Sequence, residues 1–229
     1  MAGARFRTGP ALTLPAGPLT GLLGGSFNPA HGGHRRISLF ARAALGLDEV
    51  WWLVSPGNVL KPAAGMAPLA ARLASAQAMS RNAPIRATAI EQELGTRFTV
   101  DTLRAIRRRY ARRRFVWIMG ADNLAQFHRW KDWRGIARQM PIAVIARPGY
   151  DARAMASPAG PGRRRGPPPP GQFVSGARRS APALTILRFD PDERSASAIR
   201  AADPEWASRV GAAGLRDAVT HRPIRRGKS

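Results

Sequence analysis

Thr20-Gly21-Leu22-Leu23-Gly24-Gly25-Ser26-Phe27-Asn28-Pro29-Ala30-His31-Gly32-Gly33-His34 is the stretch whose reading decides the fold. It begins as a short apolar run and passes through paired glycines. It then enters a helical pattern with apolar side chains at Ile37, Leu39, Phe40, Ala43 and Ala44. The expected reading is a buried strand, a tight loop and an amphipathic helix. In doubly wound sheets, ligands bind at the carboxyl ends of strands, where such a loop lies. Paired glycines let the backbone approach phosphate oxygens, and the helix N-terminus adds N–H donors and a favourable dipole. His31 and His34 stand three residues apart at the helix start, so both can face a phosphate from one side. Imidazole donors there can stabilise charge developing on phosphoryl oxygens. Two other readings are a zinc-ligating pair and plain surface histidines, and no third ligand lies nearby in sequence. The segment is neither a P-loop nor a dinucleotide-binding fingerprint, because the lysine and the third glycine are missing.

Working outward, residues 49–54 (EVWWLV) read as a strand closed by Ser55-Pro56-Gly57. A helix is expected over 68–82, with Pro68 in its first turn, then a strand over 85–90. Thr99 is expected to cap a helix over 99–112 that shows Val100, Leu103, Ile106 and Tyr110 on one face. Strands follow at 115–119 and 142–146, separated by short helices at 123–128 and 130–139. A final strand over 184–189 precedes helices at 197–202 and 205–219. Apolar strands alternating with helices predict an α/β protein with a doubly wound parallel sheet.

Residues 1–19 read as a flexible extension, 20–220 as a single domain, and 221–229 as a basic tail. Within the domain, about 151–182 is crowded with Pro, Arg and Gly and reads as a flexible insertion. No apolar run is long enough to span a membrane, and prolines at 10, 15 and 18 spoil any secretory signal. With no cysteine there is no disulfide framework or thiolate metal site, which fits a cytoplasmic protein. The formal charge is +23, and 34 of the 37 basic residues are arginine. This invites a nucleic-acid reading. The excess, however, is concentrated at 107–109, 112–114, 163–165 and 222–228, and is read as solvated faces that also attract anionic substrates.

The glycine–histidine segment resembles the GG(S/T)F(N/D)PxHxGH signature of the nucleotidylyltransferase superfamily, with His31-Gly32-Gly33-His34 matching its HxGH core. Ser195-Ala196-Ser197-Ala198-Ile199-Arg200 resembles the superfamily's second phosphate motif, ISxTxxR. Here Ser197 replaces threonine, and Arg194 stands where an apolar residue is usual. Between the motifs, Met119-Gly120-Ala121-Asp122-Asn123-Leu124 and Phe127-His128-Arg129-Trp130-Lys131-Asp132-Trp133 resemble the nicotinate-nucleotide adenylyltransferase family. Arg147-Pro148-Gly149-Tyr150 and the segment from Leu53 through Lys61-Pro62 extend that likeness, which covers roughly 20–150 and 184–202.

The resemblance implies a Rossmann-like fold and transfer of an adenylyl group from ATP to nicotinate mononucleotide, giving deamido-NAD and pyrophosphate. It implies catalytic roles for His31, His34 and Arg200. ATP or phosphate contacts are implied at Gly24, Gly25, Ser26, Phe27, Lys61, Gly120, Asp122 and Ser197. Thr99 and Trp130 are implied at the pyridine ring, with Trp130 offering a π-face. Trp133 is read as structural and His128 as a local partner rather than a catalyst. Mg²⁺ is expected to come with ATP, held by phosphate oxygens and water, with no metal site built from protein ligands. Nicotinamide mononucleotide and phosphopantetheine are the alternative acceptors. A nucleic-acid-binding protein is the alternative of another class.

Overall fold

The computed structural model describes residues 17–57, 65–146, 181, 183–189, 195–211 and 214–224. Its centre is a six-stranded sheet in the order β3-β2-β1-β4-β5-β6. The strands are β1 (Leu19–Gly25), β2 (Glu49–Val54), β3 (Ile85–Thr88), β4 (Arg114–Gly120), β5 (Ile142–Ala146) and β6 (Leu184–Arg188). Every pairing is parallel. The chain moves outward from β1 through β2 to β3, then crosses back to β4 and builds the other half. The order therefore reverses between β1 and β4, where a doubly wound sheet opens its ligand crevice.

Period-two alternation divides the core between the two faces of the sheet. Leu23, Val50, Trp52, Val116 and Ile118 face α1 (Gly32–Leu45) and α2 (Leu69–Ser80), represented by Ala41, Leu45, Leu73 and Ala76. Leu22, Trp51, Leu53, Phe115 and Trp117 face α3 (Ile90–Leu94), α4 (Thr99–Arg109) and α6 (Trp133–Gln139). Neighbouring Trp51 and Trp52 therefore belong to opposite cores. Each indole N–H is satisfied, Trp51 by Glu49 Oε1 at 2.9 Å and Trp52 by Ser38 Oγ at 2.7 Å. α5 (Ala121–Gln126) and the 3₁₀ turn Phe127–Arg129 carry the chain from β4 to α6, and α7 (Ala196–Ala202) follows β6.

Several expectations need correcting. The strand expected to reach residue 90 ends at Thr88, and Ile90 opens α3. Phe98, not Thr99, occupies the N-cap of α4, and its carbonyl accepts from the Asp101 and Thr102 amides. Trp130 lies in the link before α6 rather than inside a helix. No helix forms over the described part of 205–219. Gly214 takes φ 66°, a left-handed conformation that interrupts helix geometry, and residues 204–209 form turns. Asp217 instead folds this segment onto the sheet edge, accepting from Thr88 Oγ1 at 2.8 Å and Ala89 N at 2.7 Å. Leu19, placed by the sequence reading in a flexible extension, is a buried residue of β1. The expected insertion at 151–182 lies almost wholly outside the described residues, as do Arg147 to Tyr150, Lys61, Arg194 and most of the basic tail.

The arginine clusters are partly absorbed in ion pairs. Arg113 and Arg86 bind the two oxygens of Glu49 at 2.6 and 2.7 Å, while Arg109 and Arg222 reach Glu93 at 2.5 and 3.1 Å. Among the described residues, no helix is long and apolar enough to cross a membrane.

Candidate active site

A cavity of about 730 Å³ opens at the carboxyl ends of β1 and β4. Gly24, Gly25, Ser26 and His34 line one side; Thr99, Gly120, Asp122 and Trp130 line the other. Eight of the residues singled out from sequence thus meet in one crevice. Gly24 has to be glycine, because a Cβ there would lie 2.5 Å from Trp117 Cη2, whose ring crosses the strand end.

The head of α1 is closed by its own histidines. His31 Nδ1 accepts from Gly33 N and His34 Nδ1 accepts from His31 N, both at 3.2 Å. Each ring therefore presents an unprotonated Nδ1 to the backbone, which assigns the ring proton of the neutral imidazole to Nε2. The rings lie 3.9 Å apart between centroids, and Phe27 fits between His34 (4.7 Å) and Trp52 (5.0 Å). Burial, then the neighbouring His31, hold the His34 pKa down at about 3, against a partly opposing backbone bond from His31. His34 is accordingly a neutral donor at physiological pH. The spacing of the motif has a local cause: two capping side chains on one turn satisfy amides that a helix start otherwise leaves open.

Phe27 is 1% exposed, so its ring belongs to the core and only its backbone can meet a ligand. Arg200 joins the turn from α7: Nη1 donates to Asn28 O at 2.6 Å and Nη2 to Ser197 Oγ at 3.1 Å. His31, Ser197 and Arg200 stand beside the cavity and do not line it. Asn28 is itself fastened, donating to Gly65 O at 2.8 Å and accepting from Ala67 N at 3.2 Å.

On the far side, Trp130 meets Phe127 edge to face at 5.4 Å and Trp117 at 6.4 Å. The indole N–H groups of Trp117 and Trp130 are buried without a hydrogen-bond partner among the described residues. Trp133 packs on Phe127 at 5.8 Å, the structural place expected of it.

The lining residues of this side not singled out from sequence include Glu91, Arg97, Trp117, Arg129 and Lys131. Arg129 and Lys131 flank Trp130 and Arg97 precedes Phe98-Thr99, so adjacency to the motifs was their available signal. Glu91 had none, because it stands just past the strand expected over 85–90, in a stretch with no expected element. Its carboxyl accepts from Thr102 Oγ1 at 3.2 Å, and burial raises its pKa to about 7 against that bond. Glu91 and Asp122 are the carboxylates on the cavity wall, and among the described residues no three or more His, Asp or Glu gather as a metal site.

A family model described as cytidylyltransferase-like matches residues 22–202. A protein of Erythrobacter litoralis named "Probable nicotinate-nucleotide adenylyltransferase" is 68% identical over 205 residues, covering 90% of this chain and 94% of that one. A Cereibacter sphaeroides protein of the same name is 49% identical over 183 residues, covering 80% and 96%. Among solved structures, Plasmodium falciparum nicotinic acid mononucleotide adenylyltransferase complexed with NaAD superposes with a TM-score of 0.58. The match covers 80% of this chain and 83% of that one at 14% identity, a likeness of fold.

Proposed function

This chain belongs to the cytidylyltransferase-like family and, within it, to the nicotinate-nucleotide adenylyltransferases, and from that premise we propose how its cavity transfers an adenylyl group. A phosphate oxygen of nicotinate mononucleotide attacks the α-phosphorus of ATP in line. The bond from that phosphorus to the bridging oxygen of the β-phosphate breaks, and pyrophosphate leaves. Deamido-NAD is the other product. No protein nucleophile is needed, so the enzyme's contribution is placement and charge neutralisation.

The observation that carries this reading is the reciprocal histidine cap at the head of α1, with His34 on the cavity wall. His34 and His31, each with its proton on Nε2, donate to α-phosphoryl oxygens as charge builds there. Gly24 and Gly25 bring the backbone close, and Ser26, the Phe27 amide and Gly120 complete the phosphate and nucleotide contacts. Asp122 takes ribose hydroxyls. Arg200 and Ser197, tied to the same turn, receive the leaving phosphates, and Lys61 adds charge to them. A divalent cation, Mg²⁺ in this proposal, enters with ATP. The scattered carboxylates of the wall fit an ion whose oxygen shell comes from triphosphate and water.

Trp130 stacks on the pyridine ring, and Thr99 bonds its carboxylate. Arg97, Arg129 and Lys131 on the same wall supply the positive potential that favours nicotinate over the neutral nicotinamide. A cytoplasmic setting belongs to this proposal, since both substrates are charged nucleotides that do not cross a bilayer unaided. Pyrophosphate release is the test, with ATP and, in turn, nicotinate mononucleotide, nicotinamide mononucleotide and phosphopantetheine. Turnover should be highest with the first. A preference for either of the others overturns the acceptor, and inactivity with all three overturns the reading.

A further inference from the structure

Arg72, in the first turn of α2, is a buried cation without a carboxylate partner among the described residues. It is 1% exposed. Its hydrogen bonds all go to backbone carbonyls: Nε to Ala67 O at 2.8 Å, Nη1 to Ser26 O and Ser55 O at 2.7 Å each, and Nη2 to Pro56 O at 3.2 Å. Those carbonyls belong to three separate segments: the turn after β1, the end of β2 and the link into α2. Burial lowers its pKa to about 10, which leaves the guanidinium charged at neutral pH. An unpaired charge in the interior is costly, and core filling alone would be met by an apolar side chain.

The orientation of the bound peptides gives the charge a use. In a planar trans peptide, C=O and N–H point in opposite directions. A guanidinium that draws Ser26 O and Pro56 O inward directs the N–H groups of Phe27 and Gly57 away from itself. Ser26 and Gly57 lie on the cavity wall, whereas Arg72 does not. A Cβ at Gly57 would meet nothing within 4 Å, so the backbone there is open to an incoming group. From the other side, Arg200 holds the Asn28 carbonyl of the same turn.

We propose that Arg72 is a positioning residue that locks and polarises the Ser26–Phe27 and Pro56–Gly57 peptide units, so that their N–H groups form a preset wall for phosphate oxygens. The guanidinium touches no substrate. It acts through two peptides, and its planar fork spans the three segments in a way that a lysine ammonium cannot. The proposal rests on the adenylyl-transfer reading above, because it concerns how the same corner holds a triphosphate.

The experiment compares Arg72→Met and Arg72→Lys with the wild type. Inorganic pyrophosphate probes the corner, and nicotinate riboside, which carries no phosphate, probes the opposite wall; both affinities are measured by calorimetry. The Met variant should bind pyrophosphate about tenfold more weakly or worse, as expected when charge-assisted bonds behind the site are lost. The Lys variant should fall between it and the wild type. Riboside affinity should change by less than about twofold in both, a selectivity that a general packing defect does not produce. If the Met variant does not fold, the Lys variant carries the same comparison. Pyrophosphate affinity within about twofold of wild type, or equal weakening of both ligands, overturns the role of Arg72. Should this happen while the wild type still releases pyrophosphate from ATP and nicotinate mononucleotide, only the Arg72 assignment falls. A wild type that releases none overturns both readings together.

Discussion

At the corner where β1 and β2 meet α1 and α2, buried donors find partners within the protein. Trp52 donates to Ser38, Arg72 donates to four carbonyls, and the two histidines cap the helix they begin. Across the cavity, on the wall of β4 and the links after it, the indole N–H groups of Trp117 and Trp130 are buried and unmatched among the described residues. A buried donor without an acceptor costs about 1–3 kcal/mol, a penalty that a ligand acceptor or a small rearrangement removes. The described part of the corner is therefore paired without any ligand, whereas the wall holds two donors that the described residues leave unpaired. This division suits the chemistry. In the adenylyl transfer proposed above, the phosphate side stabilises a transition state without reorganising, and the acceptor side recognises one pyridine nucleotide and then releases it.

The two sides also respond to pH in opposite directions. For His34 the folded pKa lies below the unfolded one, so its contribution to stability is present above about pH 6.5 and is lost as pH falls toward 3. For Glu91 the folded pKa lies above the unfolded one. Its contribution is present below about pH 4.5 and is lost as pH rises through 7.

Breaking the corner should have the largest effect. His34→Ala is expected to lower kcat by roughly 10² or more, the scale of removing one preset transition-state donor. Unchanged turnover in a folded variant would remove the histidine from the mechanism. Next comes Glu91→Gln, which should abolish the loss of stability between pH 4.5 and 7. That loss is on the order of 2 kcal/mol after allowance for the partial exposure of the side chain. Denaturant melts at several pH values would show it as a flattened slope, and an unaltered slope would deny that Glu91 titrates there.

Much of the corner was legible in sequence because its chemistry is consecutive: glycines, serine and histidines follow a strand and open a helix within eleven residues. The sheet was legible for a similar reason, since 50–54 and 142–146 are uninterrupted apolar runs that fall in β2 and β5. The wall was less so. Glu91 and Trp117 reach the cavity from α3 and β4, Arg97 and Lys131 from two links, and their convergence depends on the crossover from β3 to β4. Arg72 was invisible for another reason. In a chain with 34 arginines, one more in a helix reads as surface. The end of the chain was misread because composition favoured helix, while Asp217 found four donors in a folded-back turn.

Smaller effects sharpen the contrast from the wall side. Trp130→Ala should raise KM for nicotinate mononucleotide about tenfold and change KM for ATP much less, as loss of one stacked ring implies. Equal changes in the two constants would argue that Trp130 only supports the fold. Lys131 is already paired with Asp101 at 2.9 Å and sits 4.5 Å from the centre of the Phe98 ring. Lys131→Ala should therefore cost only about twofold to fivefold in kcat/KM with nicotinate mononucleotide at low salt, fading as salt rises. A comparable loss with nicotinamide mononucleotide would show that the charge does not read the carboxylate.

A phosphate corner complete in the free enzyme requires a neutral His34 with a bare Nδ1. Imidazole ¹⁵N resonances of the ligand-free protein, followed from pH 8 downward, report both tautomer and charge. The ring is expected to be neutral, with its proton on Nε2 and Nδ1 bare, unchanged through pH 5 and protonated only near pH 3. Protonation near pH 6.5, or a proton on Nδ1, would contradict that expectation.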